Sequence, residues 1–129
     1  MDVCLENLDG RDNELGSDPE DMARLLERYD DIYMTLDIAH AFVRGGKVAI
    51  ERFWELCHGR IRHVHISDNW GSSDEHLPLG VGNLDLDFVT ALLKKYNYDD
   101  TITLEVFAPN RIYREVSLNV LKEAMATAC

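Results

Sequence analysis

Four short stretches of the chain alternate apolar and polar residues with a period of two: Asp2–Glu6 (DVCLE), Tyr33–Asp37 (YMTLD), Ile61–His65 (IRHVH) and Thr101–Glu105 (TITLE). That period puts successive side chains on opposite faces of a strand. Between them, apolar positions recur at helical spacing over about Pro19–Arg28, Val48–Cys57, Leu86–Tyr96 and Tyr113–Thr127. Ser17 or Asp18 is placed to cap the first helix, with Pro19 in its first turn, and Gly45–Gly46 breaks the chain ahead of the second. The alternation predicts an α/β fold, four βα units on a parallel sheet. No linker or low-complexity segment interrupts the pattern, so residues 1–129 are read as a single domain.

The two strand phases differ in kind. One carries Val3 and Leu5, Met34 and Leu36, Val64 and Ile66, and Ile102, Leu104 and Val106, as a face covered by helices requires. The other carries Asp2, Cys4 and Glu6; Tyr33, Thr35 and Asp37; Ile61, His63 and His65; and Thr101, Thr103 and Glu105. This second phase is largely polar, and each strand closes on an ionisable residue: Glu6, Asp37, His65 and Glu105. An open sheet between two helix layers would need both phases apolar. One apolar and one polar phase suit a barrel wall instead, with helices outside, a lumen inside and the active site at the C-terminal strand ends. The ionisable residues stand at those ends.

Two glutamates, one aspartate and one histidine make a hard, mainly oxygen donor set. It suits a divalent cation such as Mn²⁺, Mg²⁺, Co²⁺ or Zn²⁺ without choosing among them. A cation held there would polarise a carbonyl or hydroxyl of a substrate, and Glu6 and Glu105 on opposing strand ends would remove and return a proton on carbon. Sugar isomerisation and epimerisation need that arrangement, because the proton lies next to a carbonyl. Asp74 and His76 occupy the long loop before the third helix and are further candidates for contact with metal or substrate. Trp70, in the same loop, is a candidate stacking wall for a sugar. His63 shares the lumen phase a layer below His65 and reads as a supporting or filling side chain. Asp68 is placed to orient an imidazole or hold the loop, and His58 reads as a surface residue.

Composition narrows the partners. Apolar content of 46% and charged content of 29% describe a globular chain. No apolar run is long enough to span a membrane and no signal-peptide pattern opens the sequence, so the expected location is the cytoplasm, with no membrane partner. The three cysteines (Cys4, Cys57 and Cys129) are far apart and form no CxxC pair, which predicts reduced thiols. A net charge of −11 disfavours nucleic acid, although it does not exclude a nucleic-acid enzyme whose metals carry the local positive charge.

The segments CLENL at 4–8, LDIAH at 36–40, HVHISDN at 63–69, DEHLPLGVGNLD at 74–85 and LEVF at 104–107 together resemble the xylose isomerase-like TIM-barrel superfamily. That superfamily contains sugar (phosphate) isomerases and epimerases and endonuclease IV. The resemblance covers essentially the whole chain but only the C-terminal half of the family's (β/α)8 barrel. It implies that Glu6, Asp37, His65 and Glu105 match the metal ligands of the ketose epimerase branch. Glu6 and Glu105 match its acid/base pair, and His40 matches a substrate-contacting histidine. In the endonuclease IV branch, His40, Asp74 and His76 match additional zinc ligands. The sequence departs from the nuclease because two further zinc-binding histidines belong to the N-terminal half. It departs from the ketose epimerases at Gly71, roughly where they place a substrate-binding arginine.

The leading expectation is therefore a metal-dependent sugar or sugar-phosphate isomerase/epimerase, as a fragment of a longer protein. An endonuclease IV-like zinc phosphodiesterase acting on abasic DNA is the first alternative, and a non-catalytic half-barrel binding module the second. Four βα units do not close a barrel and leave two sheet edges open. The expected partners are a small-molecule sugar and either an N-terminal half-barrel or a second copy of the chain.

Overall fold

The computed structural model describes residues 1–11 and 15–128. Its elements are β1 (Val3–Glu6), α1 (Pro19–Arg28), β2 (Ile32–Asp37), α2 (Ile38–Cys57), a 3-10 turn (His58–Arg60), β3 (Ile61–Ile66), α3 (Leu86–Lys95), β4 (Thr101–Leu104) and α4 (Ile112–Thr127). The strands form one sheet in the order β1-β2-β3-β4, and every pairing is parallel. This is the α/β arrangement that the alternating periods predict.

The apolar strand phase makes the core. Met34, Leu36, Val64 and Ile66 are at most 1% exposed and pack with Met22 and Leu26 of α1, Ile50, Phe53 and Trp54 of α2, Val89 and Leu93 of α3 and Leu121 of α4. Each large side chain buried in this way contributes about 1.5–3 kcal/mol. Aspartates start three of the helices. Asp18 accepts the Glu20 N–H at 2.9 Å, Asp37 the His40 N–H at 2.8 Å, and Asp85 the Phe88 N–H at 3.0 Å. Among the described residues, Cys4 is a free, exposed thiol and Cys57 a free, buried one whose pKa burial pushes up to about 11. Cys129 lies outside the described residues. No helix of the described residues is long and apolar enough to cross a membrane.

Three details differ from the sequence-based expectation, one of them Val3, which belongs to the helix-facing phase but is 53% exposed on the edge strand β1. The second helix does not wait for Gly45–Gly46 but starts at Ile38, directly after β2. Asp37 both ends the strand and caps the helix, so no loop residues announce the change. The glycines instead kink the helix, and Gly46 (φ 66°, ψ −154°) takes a backbone conformation that L side chains rarely adopt. The third difference concerns Ile61, assigned to the polar phase with His63 and His65. It is 3% exposed within the helix-side core. The register explains this: Met34 pairs with Ile61 but Thr35 with His63, so two steps of β3 match one of β2. Such a bulge reverses the facing of residues on either side of it.

Candidate metal centre

The polar ends of all four strands converge. Asp37 closes β2, and His65, its register partner, lies on β3. Glu6 closes β1, and Glu105 follows the last residue of β4, its N–H still bonded to the Ile66 carbonyl at 2.9 Å. One donor atom from each of Glu6, Asp37, His65 and Glu105 falls within 4.8 Å of the others. His65 Nδ1 is 3.3 Å from Glu6 Oε1, 3.3 Å from Glu105 Oε1 and 4.0 Å from Asp37 Oδ2.

The electrostatics of this group would suit a cation. Three carboxylates surround one imidazole, and among the described residues no Lys or Arg makes an ion pair with any of them. Burial pushes the Asp37 carboxyl up to about 8; the nearby His40 opposes that rise and Glu6 adds to it. His40 is itself shifted upward: burial alone would lower it, but Asp37, the Asn7 carbonyl and Asp74 together outweigh burial. A divalent ion at the centre of four such donors would replace mutual repulsion with attraction, and the donor types fit one.

Asn7 was not singled out from the sequence, yet it is fully buried and clamps the site. Its Nδ2 donates to the Asp37 carbonyl at 2.9 Å, and its Oδ1 accepts the Asp37 N–H at 2.7 Å. The only signal in the sequence is an amide residue directly after a strand-ending glutamate.

The other candidates divide. His40 lies beside the group, with Nδ1 3.5 Å from Asp37 Oδ2 and 3.7 Å from Glu6 Oε1. Asp74 Oδ2 is 2.9 Å from His40 Nε2 and 2.9 Å from His76 Nε2, so the loop pair is brought to the site's edge. Trp70 stands apart: it is 54% exposed, and its hydrogen bonds are main-chain ones, from its N–H to Glu75 and from Asn83 to its carbonyl. His63 sits below His65, ring edge to ring face at 4.9 Å, and bonds the hydroxyls of Thr101 and Thr103. His58 bonds the Trp54 carbonyl and stacks on Tyr96. Gly71 has φ 98°, so an arginine at this position would be strained.

Asp68 holds the loop. Its carboxylate accepts the N–H groups of Asn69, Gly80, Gly82 and Leu84 at 2.9–3.0 Å, and its backbone pairs with Leu77. Gly82 is required here, because a Cβ would come within 2.3 Å of the Asn69 carbonyl oxygen.

Known proteins share this fold. An uncharacterized protein of Methanocaldococcus jannaschii is 38% identical over 105 residues, which are 81% of this chain and 37% of that protein. The crystal structure of a D-tagatose 3-epimerase-like protein superposes with a TM-score of 0.83 at 30% identity, covering 98% of this chain and 47% of the other. The structure of an L-ribulose 3-epimerase superposes with a TM-score of 0.77 at 18% identity, covering 98% and 48%. The chain thus spans less than half the length of these relatives, and its four βα units match half of a TIM barrel. Residues 1–124 match the xylose isomerase-like TIM barrel family, and the chain belongs to that family.

Proposed function

We propose that this chain is the C-terminal half of a divalent-metal-dependent sugar or sugar-phosphate isomerase/epimerase. The observation that carries the reading is the convergence of Glu6, Asp37, His65 and Glu105 at the strand ends. The epimerases among the similar structures support the sugar class. In this reading those four residues hold the metal, which when bound supplies polarisation of the substrate's carbonyl and hydroxyl oxygens. Glu6 and Glu105 stand on the two outer strands and face each other across His65. One takes the proton from the carbon next to the carbonyl, leaving an enediolate, and the other returns one. His40 borders the substrate space with its ring, both of its nitrogens being engaged by Asn7 and Asp74, and Trp70 of the neighbouring loop is the proposed stacking wall for the sugar. The remaining wall of the lumen comes from four further βα units.

The test is exchange of the carbon-bound proton of ketoses such as tagatose and ribulose with deuterated solvent, with Mn²⁺ present. Glu105→Gln is expected to abolish exchange while the fold is kept. Full exchange in that variant would remove the acid/base assignment.

A second reading has one observation behind it. His40, Asp74 and His76 meet at one carboxylate oxygen, which would add donors for further zinc ions in an endonuclease IV-like phosphodiesterase. It requires about three metal ions per complete barrel and incision of abasic DNA. The net charge of −11 opposes it.

A further inference from the structure

The loop pair makes a continuous bridge over the strand ends. His40 Nδ1 is 2.8 Å from the Asn7 carbonyl oxygen, and His76 Nδ1 is 2.9 Å from the Glu105 carbonyl oxygen. Carbonyls only accept, so Nδ1 carries a proton in both rings. The two Nε2 atoms turn towards the same Asp74 oxygen, each at 2.9 Å, and because a carboxylate oxygen also only accepts, each of these contacts is a hydrogen bond only when that Nε2 carries a proton too. The resulting chain runs Asn7 carbonyl, His40, Asp74, His76, Glu105 carbonyl. One end lies directly behind Glu6 and the other is the main chain of Glu105.

We propose that this side-chain arch is a positioning device that sets the separation of Glu6 and Glu105. The inference rests on the reading of these two glutamates as the proton-transfer pair. Their strands need such support. Asp37 lies inside the sheet, with strands on both sides and the Asn7 clamp, whereas β1 and β4 are edge strands with one neighbour each. Glu105 has a single ladder bond, to Ile66. His76 supplies the other side: its carbonyl accepts the Phe107 N–H at 3.0 Å, and its ring stacks on Phe107 at 4.0 Å. His76 does so from a left-handed backbone, φ 54°, a conformation that persists only where its surroundings impose it. The Asp68–Leu77 bridge and the nest of amides on Asp68 impose it here. The arch is anchored on the main chain of Asn7 and Glu105, with His40 Nδ1 also 3.7 Å from Glu6 Oε1.

Asp74→Asn and Asp74→Ala separate this role from others. An asparagine amide group can donate to both Nε2 lone pairs, so it keeps the arch while removing the negative charge. Its carbonyl would replace Oδ1, which is buried and has no hydrogen-bond partner. Three readouts on the chain with Mn²⁺ are needed: amide hydrogen exchange at Phe107, Mn²⁺ stoichiometry, and exchange of the ketose carbon-bound proton. Asp74→Ala is expected to speed Phe107 exchange and to slow proton exchange about 100-fold with KM unchanged, leaving Mn²⁺ stoichiometry intact. Asp74→Asn is expected to restore both the amide protection and most of the rate. Loss of a bound metal equivalent in both variants would overturn the arch in favour of a metal ligand. Unchanged Phe107 exchange in Asp74→Ala would overturn it outright. If the unsubstituted chain exchanges no sugar proton while Phe107 follows the expected pattern, the proposed reaction fails and the arch stands.

Discussion

Asn7 is the residue that ties the start of the site's β1 arm to Asp37 and His40. Its amide matches both main-chain groups of Asp37, and its carbonyl receives His40. Removing a partner from a fully buried polar group leaves that group desolvated and unpaired, at about 1–3 kcal/mol for each. Asn7→Ala strands the Asp37 N–H and carbonyl together, and is expected to lower unfolding free energy by about 3 kcal/mol in urea titration. A loss no greater than that of a surface substitution would show that the clamp is dispensable. The four strand-end residues were readable in the sequence because each closes an alternating segment in the same phase. Asn7 was not, because its partners lie thirty or more positions away in the chain.

The segment between β3 and α3 behaves as a built element although it has little regular structure. Asp68 organises it by collecting four N–H groups, and Gly82 lets the chain pass within contact of Asn69. Gly82→Ala would push that backbone away, and with it the residues that carry Asp74 and His76. It is expected to lower the thermal midpoint and to speed amide exchange at Leu77 and Leu84, with α1 and β1 unaffected. Uniform exchange across the chain would contradict a local role for the glycine. Helix α2 teaches a related lesson: the Gly45–Gly46 pair reads as a boundary, but the helix runs from Ile38 through a kink. A residue that ends a strand and caps a helix leaves no turn signal between them.

The sheet as a unit is open on both sides. Among the described residues β1 and β4 each have a neighbour on one side only, and exposed apolar side chains stand at both: Val3 on β1 and Phe107 just after β4. Unpaired parallel edges flanked by such residues favour association. The chain on its own is expected to sediment above its 14.8 kDa monomer mass, and Val3→Lys on the exposed edge to shift it back towards monomer. A stable, folded monomer of the unsubstituted chain at micromolar concentration would rule this out.

The order of elements and the polarity of the two strand faces follow from local periodicity, which any isolated stretch of sequence carries. So does the placement of Glu6, Asp37, His65 and Glu105 at strand ends. Folding settled what depends on registration between distant residues. The bulge that turns Ile61 into the core needs β2 beside β3. The Asn7 clamp needs β1 beside β2. Asp74 and His76, undecided as loop residues, acquire their bridge from His40 to Glu105 only because the Asp68 nest folds the loop back over the strand ends. Each of these is a hydrogen-bond or packing match between side chains far apart in the chain, which no pattern of neighbouring residues encodes.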